Sequence, residues 1–63
     1  MFTVGQEVFS PNDGKGVVTR IDEHALKYPV EVTFINDRVE WYTQGGREFI
    51  MEDRPSLVKV KGE

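Results

Sequence analysis

The stretch "FSPNDGKGVVTRID" (residues 9–22) contains the residue types of a phosphate-binding loop, because glycine and lysine alternate within it. Such a loop needs the spacing G-x-x-x-x-G-K-[ST] between a strand and a helix, so that successive amides point at the phosphates. Phe9 stands where the first glycine is required, and Gly16 follows Lys15 in place of serine or threonine. The β-branched residues that come next favour a strand. The stretch therefore predicts a β turn that joins two strands.

A second candidate for chemistry is His24, which lies beside Asp22 and Glu23 in a polar segment. These residues are of the types that hold a metal or orient a base. However, the chain has one histidine and no cysteine to complete a zinc site, so His24 is predicted to be a solvated loop residue. Three further carboxylates are predicted to be surface charge: Glu48, Glu52 and Asp53. We expect no catalytic residue, no metal site, no cofactor and no enzymatic activity.

The aromatic residues are numerous for so short a chain. Strand alternation places Trp41 and Tyr42 on opposite faces of a sheet, so one of these rings is expected to be exposed. An exposed tryptophan or tyrosine on a sheet can anchor a peptide, a base or a cation, or can merely cover a neighbouring side chain. The predicted partner-binding residues are Trp41, Tyr42, Arg47, Phe49 and Tyr28.

Composition limits the remaining function classes. The 63 residues predict a single domain, residues 1–63, with one thin core. Eleven acidic and eight basic residues give a formal charge of −3, which disfavours sequence-independent nucleic-acid binding. No apolar run approaches the roughly 20 residues that a membrane helix needs, and the first residues lack the pattern of a signal peptide. We therefore expect a cytoplasmic protein that contacts no membrane.

The positions of the apolar residues predict strands. In "PVEVTFI" the residues Val30, Val32 and Phe34 alternate with polar ones, which is typical of a half-buried strand. "RVEWY" has the same character, and Asn36 and Asp37 between the two runs favour a tight turn. A hairpin is therefore predicted from about Val30 to Tyr42. The segments "QEVFS", "GVVTRID" and "SLVKV" supply three more short strands, and "MEDRPS" could form one helical turn.

Five short strands joined by tight turns predict an all-β fold, specifically a small five-stranded SH3-like barrel. No segment has the apolar spacing of an amphipathic helix over three turns. Curling the sheet on itself would protect its edges from pairing with other chains.

The first third of the chain, "VGQEVFSPNDGKGVVTRID", resembles the Tudor-like SH3 barrels of CarD-type transcription factors and of the C-terminus of UvrD-type helicases. The shared pattern is a hydrophobic-Gly-x-x-Val-x-x-Pro stretch followed by Gly-x-Gly-x-Val and an isoleucine or valine. Those domains bind proteins, RNA polymerase in particular. The shared positions are mostly turn glycines and core valines, so the resemblance implies a fold more than a partner.

A second resemblance spans nearly the whole chain. The order "VGQEVFSP", "GKGVVTRID", "YPVEVTF", "WYTQGGRE" and "DRPSLVKV" is similar to short proteins encoded by bacteriophages and prophages. Gly45 stands where many of those proteins have an aspartate. This resemblance implies a phage setting and a stand-alone domain, but it carries no activity.

Together these features predict a non-enzymatic protein-binding module, a monomer or weak dimer, that occupies a surface of a host protein in the host cytoplasm. RNA polymerase is one candidate partner. Two alternatives stay open: a nucleic-acid-binding small barrel and a self-associating structural protein. The arginines of the aromatic half, Arg38, Arg47 and Arg54, are interleaved with acidic residues, which argues against a continuous basic groove.

Overall fold

The fold is all-β. A computed structural model describes residues 2–49 and 56–60 and contains five strands: β1 (Glu7–Ser10), β2 (Gly14–Ile21), β3 (Val30–Phe34), β4 (Val39–Tyr42) and β5 (Val58–Lys59). They form one sheet in the order β4-β3-β2-β1-β5, and every neighbouring pair is antiparallel. The predicted strands are thus confirmed. The possible helical turn in "MEDRPS" falls largely on residues 51–55, outside the described residues.

The turn between β1 and β2 is the stretch that resembles a phosphate-binding loop. Ser10 pairs with Gly14, and the Asp13 amide donates to the Ser10 carbonyl at 3.2 Å. Gly14 has φ of 82°, a left-handed conformation that favours glycine. The element after this turn is an eight-residue strand, not a helix. The prediction of a β turn is confirmed.

The predicted hairpin from Val30 to Tyr42 is also present. The Asp37 amide donates to the Phe34 carbonyl at 2.9 Å, and the Phe34 amide donates to the Arg38 carbonyl at 2.8 Å. Three residues therefore form the loop, and Asp37 adopts the left-handed conformation with φ of 69°. A type I turn followed by a left-handed residue is a common three-residue hairpin connection.

The core lies on the inner face of the curled sheet. β3 contributes Val30, Val32 and Phe34, which alternate with partly exposed residues as the sequence predicts. The other buried apolar side chains are Phe2, Val8, Val18, Tyr42 and Leu57. Phe34 lies over Gly16 on the neighbouring strand, where a Cβ atom would come within 2.6 Å of its ring. The absence of a side chain at Gly16 thus makes room for the largest apolar side chain of β3.

The chain turns back after β4 and brings the two edges of the sheet together at one point. The Thr43 amide donates to the Arg47 carbonyl at 2.8 Å, and Tyr42 pairs with Glu48 in an isolated antiparallel bridge. The Leu57 amide, just before β5, donates to the Gly46 carbonyl at 2.9 Å. In the described residues β4 and β5 do not pair with each other, so the sheet is barrel-like without being closed.

Candidate binding surface

Trp41 and Tyr42 lie on opposite faces, and Tyr42 is the buried ring. Tyr42 is 2% exposed and packs edge-to-face on Phe34, with the ring centroids 6.3 Å apart. The register explains this arrangement, because Tyr42 pairs with the core residue Val30 whereas Trp41 pairs with Glu31 on the outer face. Trp41 is partly exposed. Tyr42 is among the predicted partner-binding residues, but its ring lies in the core and is not part of the exposed surface.

Trp41 lies in an aromatic surface that is formed with Phe49 and Tyr28. The Phe49 amide donates to the Trp41 carbonyl at 2.8 Å, so the two residues are direct neighbours on the outer face. The Phe49 ring meets the Tyr28 ring edge-to-face, with centroids 5.0 Å apart and an interplanar angle of 77°. Phe49 is 47% exposed in spite of this contact. The structure therefore brings three of the five predicted residues together: Tyr28, Trp41 and Phe49, called here the aromatic surface.

Cationic side chains lie beside the aromatic surface. The Lys27 ammonium is 5.6 Å from the centre of the Tyr28 ring, within cation–π range. Arg47 is exposed and belongs to the turn after β4, where its amide donates to Thr43 Oγ1 at 3.0 Å. The turn thus fixes the backbone of the fourth predicted residue, Arg47, two positions from Phe49.

A cluster of charged residues between the β1–β2 turn and the β3–β4 hairpin was not predicted. Arg38 Nη1 contacts Asp13 Oδ1 at 3.0 Å, and its Nη2 binds Glu40 and lies 4.0 Å from Glu48 Oε2. Asn36 also donates to Asp13 Oδ1 at 3.4 Å. These contacts join the β1–β2 turn to the β3–β4 hairpin and to the chain that returns after β4. We call Asp13, Arg38, Glu40 and Glu48 the ionic cluster.

The burial of Glu48 corrects a prediction. Glu48 is buried rather than surface charge, because its pairing with Tyr42 places both side chains on the inner face. Asp13, in the β1–β2 turn, is buried as well, with only 3% of its side chain exposed. Arg38 covers them and is 45% exposed. Its hydrogen bond to Glu40, together with the charges of Asp13 and Glu40, raises the pKa of Arg38, so the guanidinium stays charged.

Two buried oxygen atoms of this region have no hydrogen-bond partner among the described residues: Asp13 Oδ2 and the Tyr42 hydroxyl. Burial is the main cause that raises the pKa of Tyr42, and the charge of Glu48 adds to it. The nearby Ser10 hydroxyl lowers the pKa of Tyr42 and so offsets part of that rise. Ser10 Oγ accepts a hydrogen bond from the Asn12 amide at 3.2 Å, but it is not in hydrogen-bond geometry with the Tyr42 hydroxyl.

The ionic cluster was missed for an identifiable reason. Arg38 directly precedes β4, and Glu40 and Tyr42 lie within that strand. Because side chains two residues apart point to the same face of a strand, these three side chains share one face. Because the three-residue turn pairs Val32 with Glu40 and Val30 with Tyr42, that face is the inner one. The sequence signal that could have revealed this face is the length of the turn "IND" (residues 35–37), because a three-residue turn fixes the register of β4 against β3.

The remaining candidates for chemistry form no site. His24 is exposed in the loop between β2 and β3, and its amide donates to Asp22 Oδ1 at 3.0 Å. Across residues 2–49 and 56–60, no three histidine, cysteine or carboxylate side chains are grouped in a way that could hold a metal ion. The same residues include no helix long and apolar enough to cross a bilayer.

An open groove of about 440 Å³ lies away from the aromatic surface. It is lined by residues of β1, β2 and β3 together with Gly5, Ile35 and Val60. Its lining is mainly apolar and includes Val17, and Glu7 and Lys15 contribute charged side chains to it.

Comparison with known proteins gives no match: no known protein family, curated protein or solved structure is significantly similar to this chain.

Proposed function

We propose that this protein is a non-enzymatic protein-binding module whose contact surface is the aromatic surface. The observation that supports this proposal is the edge-to-face pair of Tyr28 and Phe49, which leaves Phe49 47% exposed beside the partly exposed Trp41. Adjacent aromatic rings that remain exposed on a rigid sheet are the usual anchors of protein interfaces, since they bury a large area with few torsions to fix.

The aromatic surface is also well positioned by the backbone. Trp41 lies in a strand of the sheet, and Phe49 is held to it by a main-chain hydrogen bond of 2.8 Å. The backbone that carries these two rings is therefore ordered before a partner binds, which lowers the entropic cost of binding. Arg47 and Lys27 at the border add positive charge to the contact.

The setting that we propose is a phage or prophage protein with an SH3-like, Tudor-like barrel that occupies a surface of a host protein in the cytoplasm. The two motif resemblances support this setting, and the barrel-like five-stranded sheet agrees with the proposed barrel type. The transcription machinery, and RNA polymerase in particular, is the candidate target that these resemblances favour.

The ionic cluster weakens the alternative of a nucleic-acid binder. A basic track along the aromatic half would need Arg38, but its guanidinium contacts Asp13 and Glu40 on the inner face. Charge that is already engaged with carboxylates is less able to neutralise phosphates.

The test is affinity capture from a nuclease-treated bacterial lysate with four immobilised proteins: wild type, Trp41→Ala, Phe49→Ala and Leu26→Ala. Leu26 is a fully exposed apolar residue of the β2–β3 loop and serves as the matched control. We expect a protein that wild type and Leu26→Ala retain and that the other two variants lose. If Trp41→Ala and Phe49→Ala, checked as folded by circular dichroism, retain the same proteins as wild type, the proposal is wrong.

The same capture, repeated with a lysate that has not been treated with nuclease, separates the alternatives. Capture that disappears with nuclease and falls steeply with added salt would indicate nucleic acid. Sedimentation of the purified protein over a range of concentrations would reveal self-association instead.

A further inference from the structure

The ionic cluster has the composition of a cation-binding pocket that is filled from within the chain. The Arg38 guanidinium binds Asp13 Oδ1 and Glu40, while two buried atoms of the same region, Asp13 Oδ2 and the Tyr42 hydroxyl, receive no hydrogen bond from a described residue. Both of these atoms are buried, and Tyr42 and Asp13 are each more than nine-tenths buried. A buried acceptor without a donor costs free energy, and a charged acceptor costs more than a neutral one.

The two acceptors lie close to the same carboxylates. Tyr42 alternates onto the face of Glu40 and is paired with Glu48 across the chain that returns after β4. Asp13 is joined to the same group by Arg38. The charges of Glu48, Asp13 and Glu40 all raise the pKa of the Tyr42 hydroxyl, as expected for a hydroxyl that faces them.

We propose that this pocket accepts the ammonium group of a lysine side chain from a protein partner, which takes the place of the Arg38 guanidinium. Exchange of one cation for another leaves the charge of the pocket unchanged, so the buried carboxylates stay compensated. The ammonium in addition supplies N–H donors to Asp13 Oδ2 and to the Tyr42 hydroxyl, which the guanidinium does not reach.

The chemistry of the pocket favours lysine over other cations. The acceptors are buried, and lysine carries a compact charge with three donors at the end of a slender four-carbon stem. A metal ion would need a grouped set of ligands, which the described residues do not form. The Arg38 side chain would have to move aside for the ammonium to enter, because it is 45% exposed while the Asp13 side chain that it contacts is 3% exposed.

This inference rests on the proposed function for the nature of the partner, and it adds a second contact on the inner side of β4. The aromatic surface lies on the outer face. The two sites can therefore be tested separately, and the failure of one does not carry over to the other.

The experiment is a titration of the ¹⁵N-labelled protein with Nα-acetyl-lysine amide, followed by the backbone amide signals in heteronuclear correlation spectra. Nα-acetyl-norleucine amide, which has the same stem without the charge, is the control probe. We expect saturable shifts of the amides around Asp13 and Arg38 with the lysine probe and none with norleucine. Removal of the competing cation in Arg38→Gln should tighten binding of the lysine probe by roughly tenfold, the equivalent of one charge-assisted hydrogen bond.

Two variants identify the pocket. Asp13→Asn should abolish the shifts, and Tyr42→Phe, which keeps the ring in the core, should weaken binding by roughly threefold or more. Glu23→Gln is the matched control, because it removes an equal charge from an exposed loop position and should leave affinity unchanged. The dispersion of each spectrum reports whether the variant is folded.

The proposal is overturned if the lysine probe produces no saturable shift in wild type. It is also overturned if norleucine produces the same shifts, or if Tyr42→Phe and Glu23→Gln bind the lysine probe equally. Any of these results would mean that the two buried oxygen atoms do not form a site for an ammonium group. Should Arg38→Gln or Asp13→Asn fail to fold, the comparison of wild type with Tyr42→Phe decides the question.

Discussion

The close contact of Phe34 with Gly16 gives a sharp prediction about the packing of the barrel. In Gly16→Ala the added Cβ would lie 2.6 Å from Phe34 Cδ1, 3.0 Å from Cε1 and 3.0 Å from the Thr33 carbonyl oxygen. The Thr33 oxygen is backbone, and the Phe34 ring is 2% exposed in the core, so neither can move freely. Overpacking of this kind typically costs about 1–3 kcal/mol.

A smaller opposing effect must be subtracted. Alanine restricts the unfolded chain more than glycine does and stabilises by about 0.4–1 kcal/mol where the native conformation suits both residues. Gly16 does not have a positive φ, so this gain applies to it. We therefore expect Gly16→Ala to destabilise the protein by roughly 1–2 kcal/mol.

The assay is urea unfolding followed by Trp41 fluorescence and circular dichroism, with Gly45→Ala as the matched control. A Cβ at Gly45 would have only Thr43 Oγ1 near it, at 3.7 Å, so that variant should be neutral or slightly stabilised. Phe34→Leu should reduce the penalty of Gly16→Ala in a double-mutant cycle. If Gly16→Ala is as stable as Gly45→Ala, the ring does not lie over Gly16 and the β2–β3 register is wrong.

Three further predictions concern the inner face and its turns. Because the pKa of Tyr42 is raised in the fold, the unfolded chain loses its phenol proton at lower pH than the folded one, so stability should fall as pH rises above about 10. In Tyr42→Phe the free energy of unfolding should fall less over the same pH range. An equal fall in both proteins would contradict the buried hydroxyl. Arg38→Gln leaves the buried Asp13 carboxylate uncompensated and should lower the melting temperature more than the exposed control Arg20→Gln, measured by calorimetry; equal melting temperatures would exclude the ionic cluster. Asp37→Gly should raise the free energy of unfolding by up to about 1 kcal/mol in urea, because glycine adopts φ of 69° without strain, and a loss of stability would refute the left-handed turn.

The strands could be predicted from the sequence because their patterns are local. The alternation of Val30, Val32 and Phe34 and the turn residues after them are sufficient for the β3–β4 hairpin. The "PNDGKG" segment is equally clear as a turn, because its spacing does not fit a phosphate-binding loop and it combines proline, Asn-Asp and glycine. The positive φ of Gly14 agrees with that prediction.

Which aromatic rings are buried and which are exposed could not be predicted in the same way. Alternation separates Trp41 from Tyr42 but does not say which one is buried, since that depends on the register with β3. The pairing of Tyr28 with Phe49 depends on the return of the chain after β4, which involves residues distant in sequence.

The ionic cluster shows a different limit of sequence reasoning. Acidic residues in turns and near chain ends are usually solvated, and Asp13 and Glu48 look like such residues. Their burial results from three segments of the chain that meet around Arg38, whose charge compensates the two buried carboxylates.

The measurement that tests the proposed function most directly is the dissociation constant of the captured host protein for wild type, Trp41→Ala and Leu26→Ala, determined by isothermal titration calorimetry. If the aromatic surface is the contact, Trp41→Ala should weaken binding by about 30-fold or more, as expected for the loss of an interface anchor, while Leu26→Ala should bind like wild type. Equal dissociation constants for wild type and a folded Trp41→Ala would contradict the proposed function.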